Sequence, residues 1–251
     1  MQDRIEGTVL PVLVVELQPG ETVMSEVGEF SWMSDSIQIA TGSATPGKGL
    51  MAAAKRMAGG ASFLFNRFTA EGSPGMVAFA TKLPGAIFPI DLQEGVEYFA
   101  HRHGFMAGTT EIEVGVALQQ TFKGGIFGGE GFILQHLKGA GRAWIEMSGE
   151  ISTYDLQPGQ SMRVHPGHVA LFQASVTFQV VRVPGLANRY LGADGHHFVV
   201  LTGPGRIWLQ SMPLPILAGA LEPYLGDSHP AAAGAAGGAA AGVIGGLLRG
   251  R

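Results

Sequence analysis

The tetrapeptide Leu17-Gln18-Pro19-Gly20 returns as Leu156-Gln157-Pro158-Gly159, with Leu92-Gln93-Glu94-Gly95 between them. Corners built from proline and glycine reverse a chain, so matched corners predict matched strands on either side. Aligned on Gly20, Gly95 and Gly159, the three copies extend much further. A second break follows at Gly28, Gly104 and Gly167. A glycine-rich stretch comes next, at Gly59 to Ser62, at Gly128-Gly129-Glu130-Gly131 and at Gly192 to Gly195. Each copy then carries a hairpin turn, Ser73-Pro74-Gly75, Gly139-Ala140-Gly141 or Gly203-Pro204-Gly205. Copies two and three keep one constant offset, so that Arg142 matches Arg206 and Trp144 matches Trp208.

The runs between these turns, such as Arg206-Ile207-Trp208-Leu209-Gln210, are rich in β-branched and aromatic residues, as strands are. Gly203-Pro204-Gly205-Arg206 suits a type II turn, with proline at the second position and glycine at the third. The 39 glycines, about twice the usual share of roughly 7%, fit a chain with many tight corners. The reading is an all-β body of three internally repeated β units, residues 1–83, 84–149 and 150–217, followed by a C-terminal helix and tail over 218–251. Copy one is longer between its turns. Its extra residues fall near Leu50 to Met57, a run of good helix formers, which predicts a short inserted helix near 49–58. The apolar run from Val9 to Val15, interrupted by Pro11, predicts the first strand.

Three blocks, Gly124 to Ile151, Leu156 to Val183 and Leu201 to Leu214, resemble the altered-inheritance-of-mitochondria 24 family in a bacterial-type form. The likeness covers most of residues 7–217, including the Gly49-Leu50-Met51 insertion, and the Gly128–Phe132 and Gly203–Arg206 blocks are specific. The resemblance implies a TRAP-like, double-stranded-β-helix type of fold built by internal duplication. It implies a link to membrane organisation through the mitochondrial relatives, and it brings no catalytic residues.

Charged residues make up only 14% of the chain and hydrophobic ones 46%. So few charges predict that part of the surface is covered, by other subunits or by a membrane surface or membrane protein complex. A homo-oligomer is the plainer of the two. Net charge is −4, and the densest cationic group is Lys48, Lys55, Arg56 and Arg67, too sparse for a phosphate backbone. Nucleic acid is disfavoured as a partner. The chain has no cysteine, which excludes disulfides and thiolate chemistry. The expected location is cytoplasmic, with peripheral membrane contact an option. Residues Leu214 to Leu225 predict a short helix. From Ala231 to Leu248 the chain is uncharged but mostly alanine and glycine, a flexible tail rather than a span.

Candidates for chemistry are few. Gly42 to Gly49 nearly spells a phosphate-binding loop but ends in glycine where a hydroxyl is needed, so it reads as a loop entering the inserted helix. His101 and His103 match the opening of a cupin metal motif, and His165 and His168 stand at the corresponding place in copy three. Imidazoles two apart on a strand share a face and can bind one metal, yet the glutamate that would complete the motif is missing. Copy one has Glu26 and Glu29 there and no histidine. Glu130 and Asp194 sit at matched positions beside glycines, where a carboxylate caps its own turn. Arg142 and Arg206 could fork onto such a carboxylate. Structural roles as turn residues are assigned to Gly20, Gly95, Gly159, Gly128, Gly129, Glu130, Gly131, Gly203, Pro204, Gly205 and Arg206. No catalytic set is legible and no cofactor is implied. The expected function is a non-enzymatic scaffold or assembly protein, the alternative a cupin-like metal-dependent enzyme or a small-ligand-binding protein.

Overall fold

The computed structural model describes residues 1–43, 64–120, 132–182, 197–221 and 224. The inserted helix near 49–58, Glu130 with its neighbouring glycines, Asp194 and the tail lie outside the described residues.

Among the described residues, nineteen strands fall in chain order. The first seven are β1 (Gln2–Glu6), β2 (Val12–Leu17), β3 (Thr22–Glu26), β4 (Trp32–Met33), β5 (Ile37–Ser43), β6 (Leu64–Ala70) and β7 (Gly75–Ala80). The next six are β8 (Gly85–Leu92), β9 (Tyr98–His101), β10 (Phe105–Thr109), β11 (Glu113–Gln120), β12 (Phe132–Lys138) and β13 (Gly141–Ser148). The last six are β14 (Ile151–Leu156), β15 (Ser161–Val164), β16 (Val169–Gln173), β17 (Thr177–Arg182), β18 (His197–Thr202) and β19 (Gly205–Gln210). A helix, α1 (Leu214–Leu221), follows; most of the residues from 222 to the expected end at Leu225 lie outside the described ones. The chain divides into compact units at 1–215 and 216–251, and the sheets lie in the first.

The strands make four antiparallel sheets. The first runs β1-β2-β7-β4, the second β5-β6-β3-β10-β13-β8, the third β11-β12-β9-β16-β19-β14, and the fourth β15-β18-β17. Each position in the third sheet holds the strand that comes six places later in the chain than its counterpart in the second. The registers agree as well. Gly141 opposes Leu92 in the second sheet, and Gly205 opposes Leu156 in the third. Ala107 opposes Trp144 just past a bulge, as Leu171 opposes Trp208.

Three hydrophobic cores fill the spaces between the sheets. Leu13, Val15, Val77 and Phe79 of the first sheet meet Phe68, Ala107 and Trp144 of the second. Phe65, Phe105, Ile145 and Met147 of the second meet Ala100, Leu171 and Trp208 of the third. Leu156, Phe172 and Ile207 of the third meet Val164, Val199 and Leu201 of the fourth. On β13, alternate residues therefore enter different cores: Trp144 one, Ile145 and Met147 the other. This is the period of two that a strand imposes, with apolar residues wanted on both faces.

The corners follow the sequence with two corrections. Gly20, Gly95 and Gly159 have φ of 86, 81 and 78, and Glu21, Val96 and Gln160 each donate N–H to the carbonyl three residues back, at 2.9 Å. These are the type II turns, with Pro19 and Pro158 ahead of the glycine. The Gly203-Pro204 corner is different: its peptide bond is cis and Gly205 has φ 144, so it is not the type II turn expected there. The Val12–Leu17 run is the second strand rather than the first. The true first strand, β1, is mostly exposed and polar and, among the described residues, pairs only with β2, so it lacks the apolar signature of a buried strand.

Candidate functional site

Glu26 ends β3, and the chain turns through Gly28 (φ 99) toward β4. Glu29 is carried inward by this turn and is only 4% exposed. Its Oε1 meets the Nζ of Lys82, which follows β7. Its Oε2 is buried with no hydrogen-bond partner. Glu146 on β13 is 6% exposed, and its Oε1 accepts the backbone N–H of Lys82 at 3.0 Å. Glu26 accepts from Gln135 Nε2 at 2.9 Å, and Gln135 in turn accepts the Phe105 N–H at 2.9 Å. Three carboxylates, from the end of β3, the turn after it and β13, thus gather around one lysine.

Burial sets their protonation. Desolvation pushes the Glu26 carboxyl up to about 7, the Gln135 bond opposes this, and the Glu29 charge adds to it. Desolvation also raises Glu29, against the pull of Lys82. Glu146 is raised by burial, opposed by the Lys82 backbone bond. A carboxyl deprived of water favours its neutral form until an opposite charge or donors offset the loss.

The histidines lie at the corresponding strand ends. His101 ends β9 opposite Leu134, as Glu26 ends β3 opposite Phe65. Its Nε2 is 3.0 Å from the carbonyl oxygen of Glu146. His103 falls beyond β9, so the shared strand face expected of His101 and His103 does not form. His165 and His168 bracket a 3-10 turn over Pro166–His168, with Gly167 N–H donating to His165 Nδ1. The His168 Nδ1 is 2.7 Å from the Gln210 carbonyl oxygen. Ring nitrogens of His101, His165 and His168 are therefore held by the backbone. Among the described residues, no three His, Cys, Asp or Glu converge so as to hold a metal.

Gln210 also explains Glu146. At the corresponding place on β19, its Oε1 accepts the Ser148 N–H at 3.0 Å and its Nε2 donates to Gly167 O at 3.1 Å. A neutral amide thus takes the backbone bond in one sheet that a buried carboxylate takes in the other. The arginines find partners other than those expected. Arg142 forks onto Asp91 at 2.8 and 3.2 Å and also reaches Asp3 at 2.7 Å. Arg206 forks onto Asp155 at 2.6 and 2.9 Å. Each aspartate is the cross-strand partner of its arginine, so register supplies the pair. In the sequence, Glu26 and Glu29 stand out only as the absence of histidine. Two glutamates beside a glycine, opposite a strand carrying Gln135, are the available signal.

The family profile described as Mitochondrial biogenesis AIM24 matches residues 4–212. The chain belongs to this family. An uncharacterized protein of Streptococcus pyogenes serotype M6 is 25% identical over 226 residues, spanning 87% of this chain and 88% of the relative. The crystal structure of the S. pyogenes protein SPYM3_0169 superposes with a TM-score of 0.72 at 21% identity, covering 89% of this chain and 99% of the other. That likeness carries the fold. The matched span takes in all four sheets but for the first residues of β1, and the positions of Glu26, Glu29, Lys82 and Glu146 fall within it. Among the described residues, no helix is long and apolar enough to cross a membrane.

Proposed function

We propose that this AIM24-family chain is a non-enzymatic scaffold of three successive six-stranded units, β2–β7, β8–β13 and β14–β19, whose copies join head to tail through β4 and β15. The supporting observation is a pairing made twice within the chain and left open at its ends. β10 joins the first unit to the second by pairing with β3, Ala107 opposite Ser25 and Gly108 opposite Met24. β16 joins the second to the third by pairing with β9, Leu171 opposite Ala100 and Phe172 opposite Phe99. The corresponding edge strands are β4 of the first unit, bonded to β7, and β15 of the third, bonded to β18. Placed side by side, they complete a sheet of the order β17-β18-β15-β4-β7-β2, matching the second and third sheets.

Burial points the same way. Trp32 opposes Ala78, the third residue past Gly75, as Ala107 and Leu171 oppose the third residues past Gly141 and Gly205. Ala107 and Leu171 are fully buried, whereas Trp32 is 47% exposed. An exposed tryptophan on an open edge strand is an aggregation hazard unless a partner covers it. A head-to-tail contact between unlike edges closes a ring or continues as a filament.

Continuing the register sets Trp32 opposite Val164 and Met33 opposite Arg163 across the contact. The native chain has no cysteine, which makes a clean test. Residues directly opposite on antiparallel strands have Cβ atoms about 4.5–5.5 Å apart, near disulfide reach. The expected result is that mixed Met33→Cys and Arg163→Cys single variants form a covalent dimer on oxidation, and the double variant forms longer ladders or a closed species. Native mass spectrometry giving only monomer, together with no cross-link, overturns the reading.

A further inference from the structure

We infer that the Glu26–Glu29–Lys82 cluster is a proton-dependent latch on the segment Val27 to Ser34, and so regulates how the assembling edge β4 is presented. The inference rests on the edge-pairing reading for its consequence, but the latch itself stands on separate geometry.

The segment leaves β3 at Glu26 and reaches β4 within a few residues. Its fastenings to β7 are modest. Ser31 N–H donates to Ala78 O at 3.1 Å and Ser34 N–H to Met76 O at 2.9 Å. The hydroxyls of Ser31 and Ser34 accept from the Ala80 and Met76 N–H groups at 2.9 and 3.0 Å. Elsewhere Val27 N–H donates to Leu64 O at 3.0 Å, Phe30 stacks on Phe68, and Glu29 is driven inward onto Lys82 with one carboxylate oxygen unpartnered. A buried polar atom without a partner is costly. It becomes more so when a second negative charge appears beside it.

Glu26 supplies that charge. The groups facing it are Glu29, Lys82, Arg102 and the neutral Gln135. Glu146 faces Glu29 and Lys82 from β13. His101 and His103 flank Arg102 at the neighbouring strand end. With Glu26 protonated, the Lys82 charge is matched chiefly by Glu29. With Glu26 ionised, two carboxylates repel within a partly desolvated site, and opening the segment relieves both. The carboxyl of Glu26 titrates near 7 when covered and at the ordinary carboxylate value when uncovered. The closed form therefore binds the proton more tightly, and closure weakens as pH rises between those two values.

Hydrogen exchange at the backbone amides of residues 27–34 tests the latch. It is measured in a Met162→Pro background, which blocks the opposite edge β15 without touching the segment. Comparison of the parent with its Glu26→Gln variant cancels the intrinsic pH dependence of exchange and the contributions of the histidines. The expected result is that the ratio of segment opening, parent over Glu26→Gln variant, rises roughly thirtyfold between about pH 5.5 and about pH 8. A ratio that stays flat overturns the latch, even if the copies assemble. A rising ratio in a chain that stays monomeric with both edges intact leaves the latch standing and removes the assembly reading instead. If both hold, the intact protein disassembles as pH rises through 7, and Glu26→Gln assemblies persist.

Discussion

Replacing Trp144 by alanine is expected to lower unfolding stability by about 3–5 kcal/mol, the range for emptying a large aromatic site in a packed interior. Trp144 is fully buried between the first and second sheets, beside Phe79 and Ala107. Its indole Nε1 donates to Asp3 Oδ2 at 3.1 Å, so the truncation also removes a bond that holds β1 to the body. Collapse around the vacated site is resisted because Ile145 and Met147 on the same strand are already committed to the neighbouring core. Chemical denaturation monitored by circular dichroism measures the loss. Trp144→Phe, which keeps most of the volume but not the donor, is expected to fall well short of it. A Trp144→Ala change of less than about 1 kcal/mol contradicts the packing described.

Glu26→Gln is expected to act in the opposite sense and only over part of the pH range. The folded carboxyl titrates at about 7 against an ordinary value of 4.5, so the folded state holds its proton more tightly than the unfolded one. The associated stability is fully present below about 4.5 and is lost as pH rises through 7. Glutamine keeps an acceptor for Gln135 Nε2 and never ionises. The variant is therefore expected to match the parent near pH 4 and to exceed it by on the order of 3 kcal/mol above pH 8. Equilibrium unfolding at the two pH values reads this directly, and equal curves at the higher value count against a partly desolvated, ionising Glu26.

The architecture was legible to the extent that turns and periodicity encode it. The corners at Gly20, Gly95 and Gly159 require positive φ, so proline and glycine mark them visibly. The matching of Arg142 with Arg206 and Trp144 with Trp208 reflects a real correspondence of register. What escaped was whatever depends on cross-strand neighbours. Asp91 and Asp155 are unremarkable in sequence, yet pairing sets each opposite an arginine. β1 is polar and exposed, and a strand that buries little leaves no apolar trace. The acid cluster was invisible for a related reason: Glu26, Lys82 and Glu146 are distant in the chain and meet only once the sheets have formed. The histidines carried the more familiar spacing, but β9 stops at His101 and the spacing loses its meaning there.

The alternation on β13 has a thermodynamic consequence. A strand whose odd and even residues belong to different interiors cannot come loose on one side alone. The second and third sheets are both shared in this way, so melting any one of the three interiors strips a wall from its neighbour. The body should then denature as a single cooperative block, with Trp144 and Trp208 reporting one common midpoint although they sit in separate interiors.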